Sequence, residues 1–294
     1  MWCRDYPSFG ELAHIGKGFD FVGQDNLPSD AVTFSVRRLR DGVPGFVNFD
    51  RGLQVHQLPK RVWINLDPKV IPTPRTGTTT KVPQILWNYA RAKRSPWRLK
   101  GLLDREGHAV TSRFLTVRPN NDIVPLELLW ALANSPIANA FAHSHSMKRD
   151  NLTGMMRSIP VPIVWETDAA ATVQAVKAYL SAVTPEMEKL SPSPDPQQLC
   201  RLLLQVDAEV LKLYDLPPRL ERQLLDYFRG HERQGVPFFF DRYYPADYEP
   251  CFPLHEYLSD AYEQSTAGSM RDRHESATPE MAAAMEAAVD AFPE

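Results

Sequence analysis

Cysteine is scarce. Cys3, Cys200 and Cys251 are the only three in 294 residues, and they show neither the paired spacing of a zinc site nor the even count of a secreted disulfide framework. They read as core or incidental thiols of a reducing cytoplasm, the expected location of the chain. No run approaches ~18 consecutive apolar residues, and MWCRDYPSFG has no charged region leading into an apolar one. A membrane is therefore not an expected partner. Catalytic signatures are missing as well. Gly16 and Gly18 are followed by Phe21 where a dinucleotide fingerprint needs a third glycine. There is no GxSxG elbow, and His255-Glu256 has no second histidine four residues on. His143 and His145 fall on different faces of a helix with no carboxylate at a useful spacing, so no metal site is expected. The Pro194–Pro196 stretch is followed by no Asp/Glu-x-Lys on a strand. No Asn/Asp/Ser-Pro-Pro-aromatic turn exists to hold an exocyclic amine beside a stacking ring: NSPI at 134–137 and LPPR at 216–219 are the nearest strings. Neither catalytic nor cofactor-binding residues are expected on this chain.

What the chain has is charge, unevenly placed. Residues 1–160 carry 22 Lys/Arg against 13 Asp/Glu, whereas residues 161–294 carry 11 against 23, and the formal net charge of -3 hides the split. A polyanion-binding half followed by an acidic, solvated or partner-facing half produces this pattern, as do two surfaces of unequal charge with no partner. Between Arg75 and Arg118 stand ten cations opposed only by Asp104 and Glu106. Phosphate neutralisation needs a local excess of this kind.

The periodicities predict an α+β fold. Apolar alternation in FGELAHIGKG, VTFSV, GFVNF, LQVHQL and RVWINL predicts short strands, with a glycine loop of unusual backbone angles after the first. VPQILWNYARAK and HAVTSRFLTVRP predict two more, flanking a basic turn SPWRLKGLLDREG that holds at most a short helical turn. PLELLWALANSPIANAFAHS steps at three and four residues and predicts an amphipathic helix interrupted near Pro136. SIPVPIVWE closes a first domain as an edge strand, Glu166-Thr167-Asp168 supplies an N-cap, and helices follow over 168–183, 197–216 and 217–233, the last opened by Pro218. The expected organisation is a mixed-sheet domain over 1–165, a helical docking region over 166–232, an extended aromatic and proline-rich strap over 233–263, and a mobile acidic tail over 264–294.

Two basic clusters are candidate sites. In ARAKRSPWRLK the cations Arg91, Lys93, Arg94, Arg98 and Lys100 are interleaved with Tyr89, Pro96 and Trp97, and Arg113 follows on the next strand. The competing reading makes Trp97 a core residue and the cations a solvated face. Lys148, Arg149 and Arg157 lie near Asn151, Thr153 and Gly154, a stretch that is either a phosphate-contacting loop or a plain surface loop. An arginine fork can read guanine, and Arg or Lys can neutralise phosphate.

Three local markers occur in order: Ser95-Pro96-Trp97 after a strand, Ser112-Arg113-Phe114 opening the next strand, and Asn134-Ser135-Pro136 ending a helix. Ile159-Pro160-Val161-Pro162, the helix LLQVDAEVLKLYDL and RYYPADYEPCFPLHEYLS follow. This order, over most of residues 9–262, resembles the C-terminal target-recognition domain of N6-adenine DNA methylases, related to the specificity subunits of type I restriction-modification systems. The resemblance implies sequence-specific binding of double-stranded DNA in a phage-defence setting, with Arg91, Lys93, Arg94, Trp97, Arg98, Lys100 and Arg113 in contact and Lys148, Arg149 and Arg157 as secondary phosphate contacts. Met1 lies eight residues before the first strand of the pattern. The methyltransferase half, with its S-adenosylmethionine, is therefore expected on a partner, as is any restriction subunit. Two alternatives stand beside this: one half of a split adenine methylase, or a non-catalytic interaction protein such as an antitoxin or defence scaffold. The DNA assignment requires the basic side chains to share an exposed surface and the Trp-bearing turn to lie uncovered.

Overall fold

A computed structural model describes residues 6–29, 31–146, 148–163, 166–184, 195–237, 244 and 252–264. The alternating apolar segments of the first half become two four-stranded sheets. A helical turn α1 (Phe9–Leu12) leads into β1 (Ala13–Lys17); β2 (Phe34–Ser35), β3 (Val43–Phe46), β4 (Val62–Ile64), β5 (Gln84–Asn88), β6 (Gly101–Asp104), β7 (Ala109–Val110) and β8 (Phe114–Pro119) follow. One sheet runs β1-β8-β5-β6 and is antiparallel throughout; the other runs β2-β4-β3-β7, with β3 and β7 parallel. Helices α2 (Leu126–Asn134), α3 (Pro136–His145), α4 (Thr153–Arg157), α5 (Glu166–Val183), α6 (Pro196–Tyr214), α7 (Pro218–Asp226), α8 (Leu254–Tyr257) and α9 (Asp260–Glu263) complete the described chain. The fold is α+β with one mixed sheet.

The main core joins the first sheet to the helices. Ile85, Trp87, Leu115 and Val117 from β5 and β8 pack with Leu129, Trp130 and Ala133 of α2, and the same cluster continues into Val176 and Tyr179 of α5 and Leu203, Val206 and Val210 of α6. Helix α6 is held at both ends by its sequence. Asp195 caps it by accepting from the Gln197 N–H at 3.1 Å, Pro196 occupies the first turn, and Asp215 closes it in the left-handed region at φ 47°. The break expected near Pro136 is present: Ser135 ends α2 and caps α3, accepting from the Ala138 N–H at 3.1 Å.

Several expectations change. LQVHQL alternates like a strand but turns, with Gln57 N–H donating to Gln54 O and Val55 N–H to Gly235 O at 2.8 Å. The stretch after Trp97 contains strand β6 rather than a helical turn, because Leu102 is buried against the sheet and Gly101 pairs with Trp87. HAVTSRFLTVRP divides into β7 and β8, which belong to different sheets. SIPVPIVWE contributes only a short pairing, Phe9 N–H to Ile159 O and Val161 N–H to Pro7 O, both at 2.8 Å. Gly16 and Gly18 are not at positive φ; a Cβ on Gly18 would instead meet the Thr111 carbonyl oxygen at 2.0 Å. Of the strap expected over 233–263, residues 233–237, 244 and 252–263 are described and include the helical turns α8 and α9, so this part is not wholly extended; the rest of the strap, and the tail but for Gln264, lie outside the described residues.

A buried ion pair fixes the segment after α7 to this core. Arg233 forms a bidentate pair with Asp207 of α6, donates to the Asn134 carbonyl at 3.1 Å and stands over the Trp97 ring at 4.5 Å. Removing one partner of such a pair leaves an uncompensated charge in the interior. Asp207→Ala should therefore cost about 3–5 kcal/mol of unfolding free energy, read as a lower urea midpoint at constant slope. Asp207→Leu combined with Arg233→Met should restore most of it.

Candidate nucleic-acid interface

The groove of interest is built by two cations that sequence reasoning had placed on its surface. Arg98 is 1% exposed and Lys100 2% exposed. The Arg98 guanidinium donates to Ala142 O (3.1 Å) and Ser146 O (2.7 Å) at the C-terminal end of α3, to Lys148 O (3.1 Å) and to Asn151 Oδ1 (3.1 Å). It thereby satisfies carbonyls that a helix end leaves orphaned and places a cation at the negative pole of the helix. Burial, and then the charge of Arg91, lowers its pKa from the ordinary arginine value. Lys100 donates to Arg51 O at 2.5 Å and Leu53 O at 3.0 Å. Arg98 thus holds Ser146, Lys148 and Asn151, and Lys100 holds the 51–53 loop, and both segments border one depression.

Asparagines fix the strand between them. On the free edge of β6, Asn134 Oδ1 accepts from Gly101 N–H at 2.8 Å while its amide donates to Gly101 O at 3.0 Å. Asn139 Oδ1 accepts from Arg98 N–H and Leu99 N–H at 3.0 and 2.9 Å. Asn88 accepts from Lys100 N–H at 2.7 Å and donates to Arg98 O at 2.9 Å. Asn151 donates to Asn88 O at 2.8 Å. The Asn-Ser-Pro marker therefore has a structural duty: its asparagine covers an exposed strand edge, and its serine and proline start α3.

Beyond β5 the chain from Tyr89 to Arg91 runs between two neighbours. Tyr89 N–H donates to Arg113 O (3.0 Å) on one side; Asn151 N–H donates to Tyr89 O (2.7 Å) and Arg91 N–H to Arg149 O (2.9 Å) on the other. Across from this wall stands the loop after β3, Asn48 to Arg51. The two walls enclose a cavity of about 500 Å3. Arg51, Arg91, Arg113 and Arg149 line it with Lys100, against Asp50 and Asp150; Phe49, Asn88 and Tyr89 complete its sides. Among the described residues none of the four arginine side chains forms an ion pair. Tyr89 carries the Lys17 ammonium over its ring at 4.3 Å.

The expected contact residues divide accordingly. Arg91, Arg113 and Arg149 meet in the cavity, and Arg94 and Lys148 are exposed on the segments that flank it. Trp97, Arg98 and Lys100 are corrections: Trp97 is 2% exposed, packed on Phe228 at 4.1 Å, and all three side chains are inside the molecule, spent on packing or internal acceptors. The Trp-bearing turn lies beneath the segment after α7, so the reading that made Trp97 a core residue holds; the requirement that this turn lie uncovered is not met, and a DNA-facing surface has to be sought outside it. Lys93 is exposed but pairs with Glu232 at 2.7 Å. Arg157 sits apart, donating to Ile15 O at 2.6 Å. Of the ten cations between Arg75 and Arg118, Arg75 and Arg105 are likewise paired, with Asp20 and Glu127, and Arg118 donates to Thr76 O and Gln84 Oε1. Sequence reasoning missed Arg51, Phe49 and Asp50 of the facing wall, where a lone Asp-Arg after a strand carried no signal. Among the described residues no group of histidine, cysteine or carboxylate side chains could hold a metal, and no helix is long and apolar enough to cross a membrane.

No protein-family model and no curated protein matches the sequence. Solved structures give loose matches. A chain of a type I restriction-modification system is 17% identical with a TM-score of 0.37, over 76% of this chain and 45% of that one. The Type IIL restriction-modification enzyme MmeI in complex with DNA is 14% identical with a TM-score of 0.41, over 72% and 34%. The HsdS subunit of Thermoanaerobacter tengcongensis is 14% identical with a TM-score of 0.36, over 71% and 44%. The chain thus matches between a third and a half of the length of these proteins. With TM-scores below 0.5, no residue role transfers from them.

Two measurements check the groove's construction. Arg98→Ala strands several buried acceptors and should lower unfolding free energy by about 3 kcal/mol, whereas Arg94→Ala on the surface should stay within about 0.5 kcal/mol. Burial, and then the charge of Lys93, lowers the Lys100 pKa from 10.5 to about 8. Below that value folded and unfolded chains are both protonated there; between it and 10.5 only the unfolded chain binds the proton, so stability attributable to Lys100 rises with pH across that window. Lys100→Met should abolish this rise in urea titrations at pH 7.5 to 10.

Proposed function

We propose that this chain is a double-stranded-DNA recognition module of a restriction-modification or DNA-methylation system, and that its DNA-facing surface is the arginine-lined groove. The observation that carries the reading is the meeting of Arg51, Arg91, Arg113 and Arg149 around one concavity with no carboxylate paired to any of them among the described residues. Guanidinium groups left unpaired on anchored backbone are what phosphate contact requires, and a concave cationic surface concentrates the field that attracts a polyanion. Arg94 and Lys148 extend the positive surface on either side. The order of sequence markers adds the class of nucleic acid, duplex DNA, and the system in which it is read.

In this reading the groove binds and orients DNA, and chemistry is done elsewhere. The methyltransferase, with its S-adenosylmethionine, or a restriction subunit is a separate partner, and the helical region after residue 166 provides the remaining surface for it.

Anisotropy titration of a labelled duplex of mixed sequence tests the reading. Affinity should fall steeply with salt, and each of Arg91→Gln, Arg113→Gln and Arg149→Gln should reduce the slope of log K against log salt by about 1. Arg75→Gln and Arg105→Gln, which remove cations already paired, should leave the slope unchanged. Equal slopes for both groups of variants would remove the groove from the interface.

A further inference from the structure

The cavity differs from a plain phosphate-binding surface in volume and in lining. Its volume of about 500 Å3 lies within the ~300–1,000 Å3 range of small-ligand sites. A lone phosphate would leave most of it empty, and a duplex, whose major groove alone is ~12 Å wide, cannot enter. The walls also carry groups a backbone phosphate does not use. Phe49 is half-buried against Phe114, with ring centroids 5.3 Å apart, and Tyr89 is half-buried with Lys17 over its ring. Aromatic side chains beside a cationic track are the recurring means of holding an unstacked base together with its phosphate. Asp50 and Asp150 would weaken a site for phosphate alone, yet a carboxylate accepts from the exocyclic amine of a base. Lys100 spends two of its three N–H donors on carbonyls and lines the cavity floor.

We infer that this cavity is a single-nucleotide site: it receives one unstacked nucleotide, its phosphate among Arg51, Arg91, Arg113 and Arg149 and its base against Phe49 and Tyr89. The source of that nucleotide, a base swung out of bound duplex, rests on the reading of the chain as a DNA-recognition module; a free nucleoside monophosphate has the same chemistry and is the other source. A nucleotide that is already unpaired needs no base pair broken and costs less to extrude, so the site favours it over one in a matched duplex.

The experiment compares a matched duplex, the same duplex with one bulged 2-aminopurine, and free deoxynucleoside 5′-monophosphates as competitors, all with the full chain. The bulged duplex should bind about tenfold more tightly than the matched one, with 2-aminopurine emission quenched on the aromatic walls. Tyr89→Leu should remove both the quenching and the preference, bringing the ratio of bulged to matched affinity to about one, with any loss of matched-duplex affinity smaller than the loss for the bulged duplex. Phe49→Leu should do the same, with its thermal melt confirming that the core around Phe114 is intact. Equal binding of bulged and matched duplexes, without competition by monophosphates, overturns the nucleotide site and leaves DNA recognition standing. Monophosphate binding that depends on Arg113 and Tyr89, with no duplex binding, overturns the DNA reading and keeps the site, with the free nucleotide as ligand. Absence of binding in every arm overturns both.

Discussion

A buried cation has to find acceptors, and the Arg98 guanidinium finds four of them at the end of α3 and just beyond it. Its donors reach Ala142 and Ser146 at the helix end, then Lys148 and Asn151, which itself bonds to β5. An arginine cannot shed its proton to escape burial, so its presence inside forces those carbonyls to converge on it. One wall of the groove is therefore positioned by charge satisfaction rather than by apolar packing. Lys100 does the same for the other wall, drawing the Arg51 and Leu53 carbonyls to the sheet. The depression between the walls is a by-product of placing two consecutive alternate cations of one strand approach in the interior.

That arrangement explains which parts of the molecule the amino-acid order discloses. The break at Ser135-Pro136, the initiation of α7 at Pro218 and the alternation of β1 and β8 are local properties, decided by residues within a few positions of each other. Strand β6 was not legible because its short apolar stretch is buried on both faces and has no period to distinguish it from a helical turn. LQVHQL failed for the opposite reason: its alternation was correct, but the Val55 N–H pairs with Gly235, a partner 180 positions away.

The candidate site was half legible for a related reason. Local charge density reports how many cations a segment carries and not what each one faces. Arg91 and Arg98 are seven residues apart in a single basic run, yet one lines an open cavity and the other is 1% exposed. What separates them is the supply of acceptors: Asn139, Asn151 and the orphan carbonyls of α3 surround Arg98, and they come from positions 41 to 53 residues downstream. Pairing acts on the rest in the same way, since Lys93 meets Glu232 from beyond α7. The cations that remain uncommitted are those that, among the described residues, form no ion pair, although Asp50 and Asp150 line the same cavity.

The uncommitted arginines stand on backbone that is itself pinned. Arg91 and Arg149 are joined through their own main chains at 2.9 Å, and the Arg113 carbonyl accepts from Tyr89 at 3.0 Å. Their Cα positions are thus set by hydrogen bonds that binding need not break, and only the long side chains remain to be ordered. A phosphate contact made from such positions loses rotamer entropy but no backbone entropy, which favours it over the same contact made from a free loop. The internal cations and the groove cations then have complementary work: Arg98 and Lys100 rigidify the frame at the cost of their own exposure, and the charge available to a polyanion is carried by arginines that form no ion pair among the described residues. A substitution that freed Arg98 to the surface would add a positive charge there and still weaken binding, because the wall that carries Arg149 would lose its anchor.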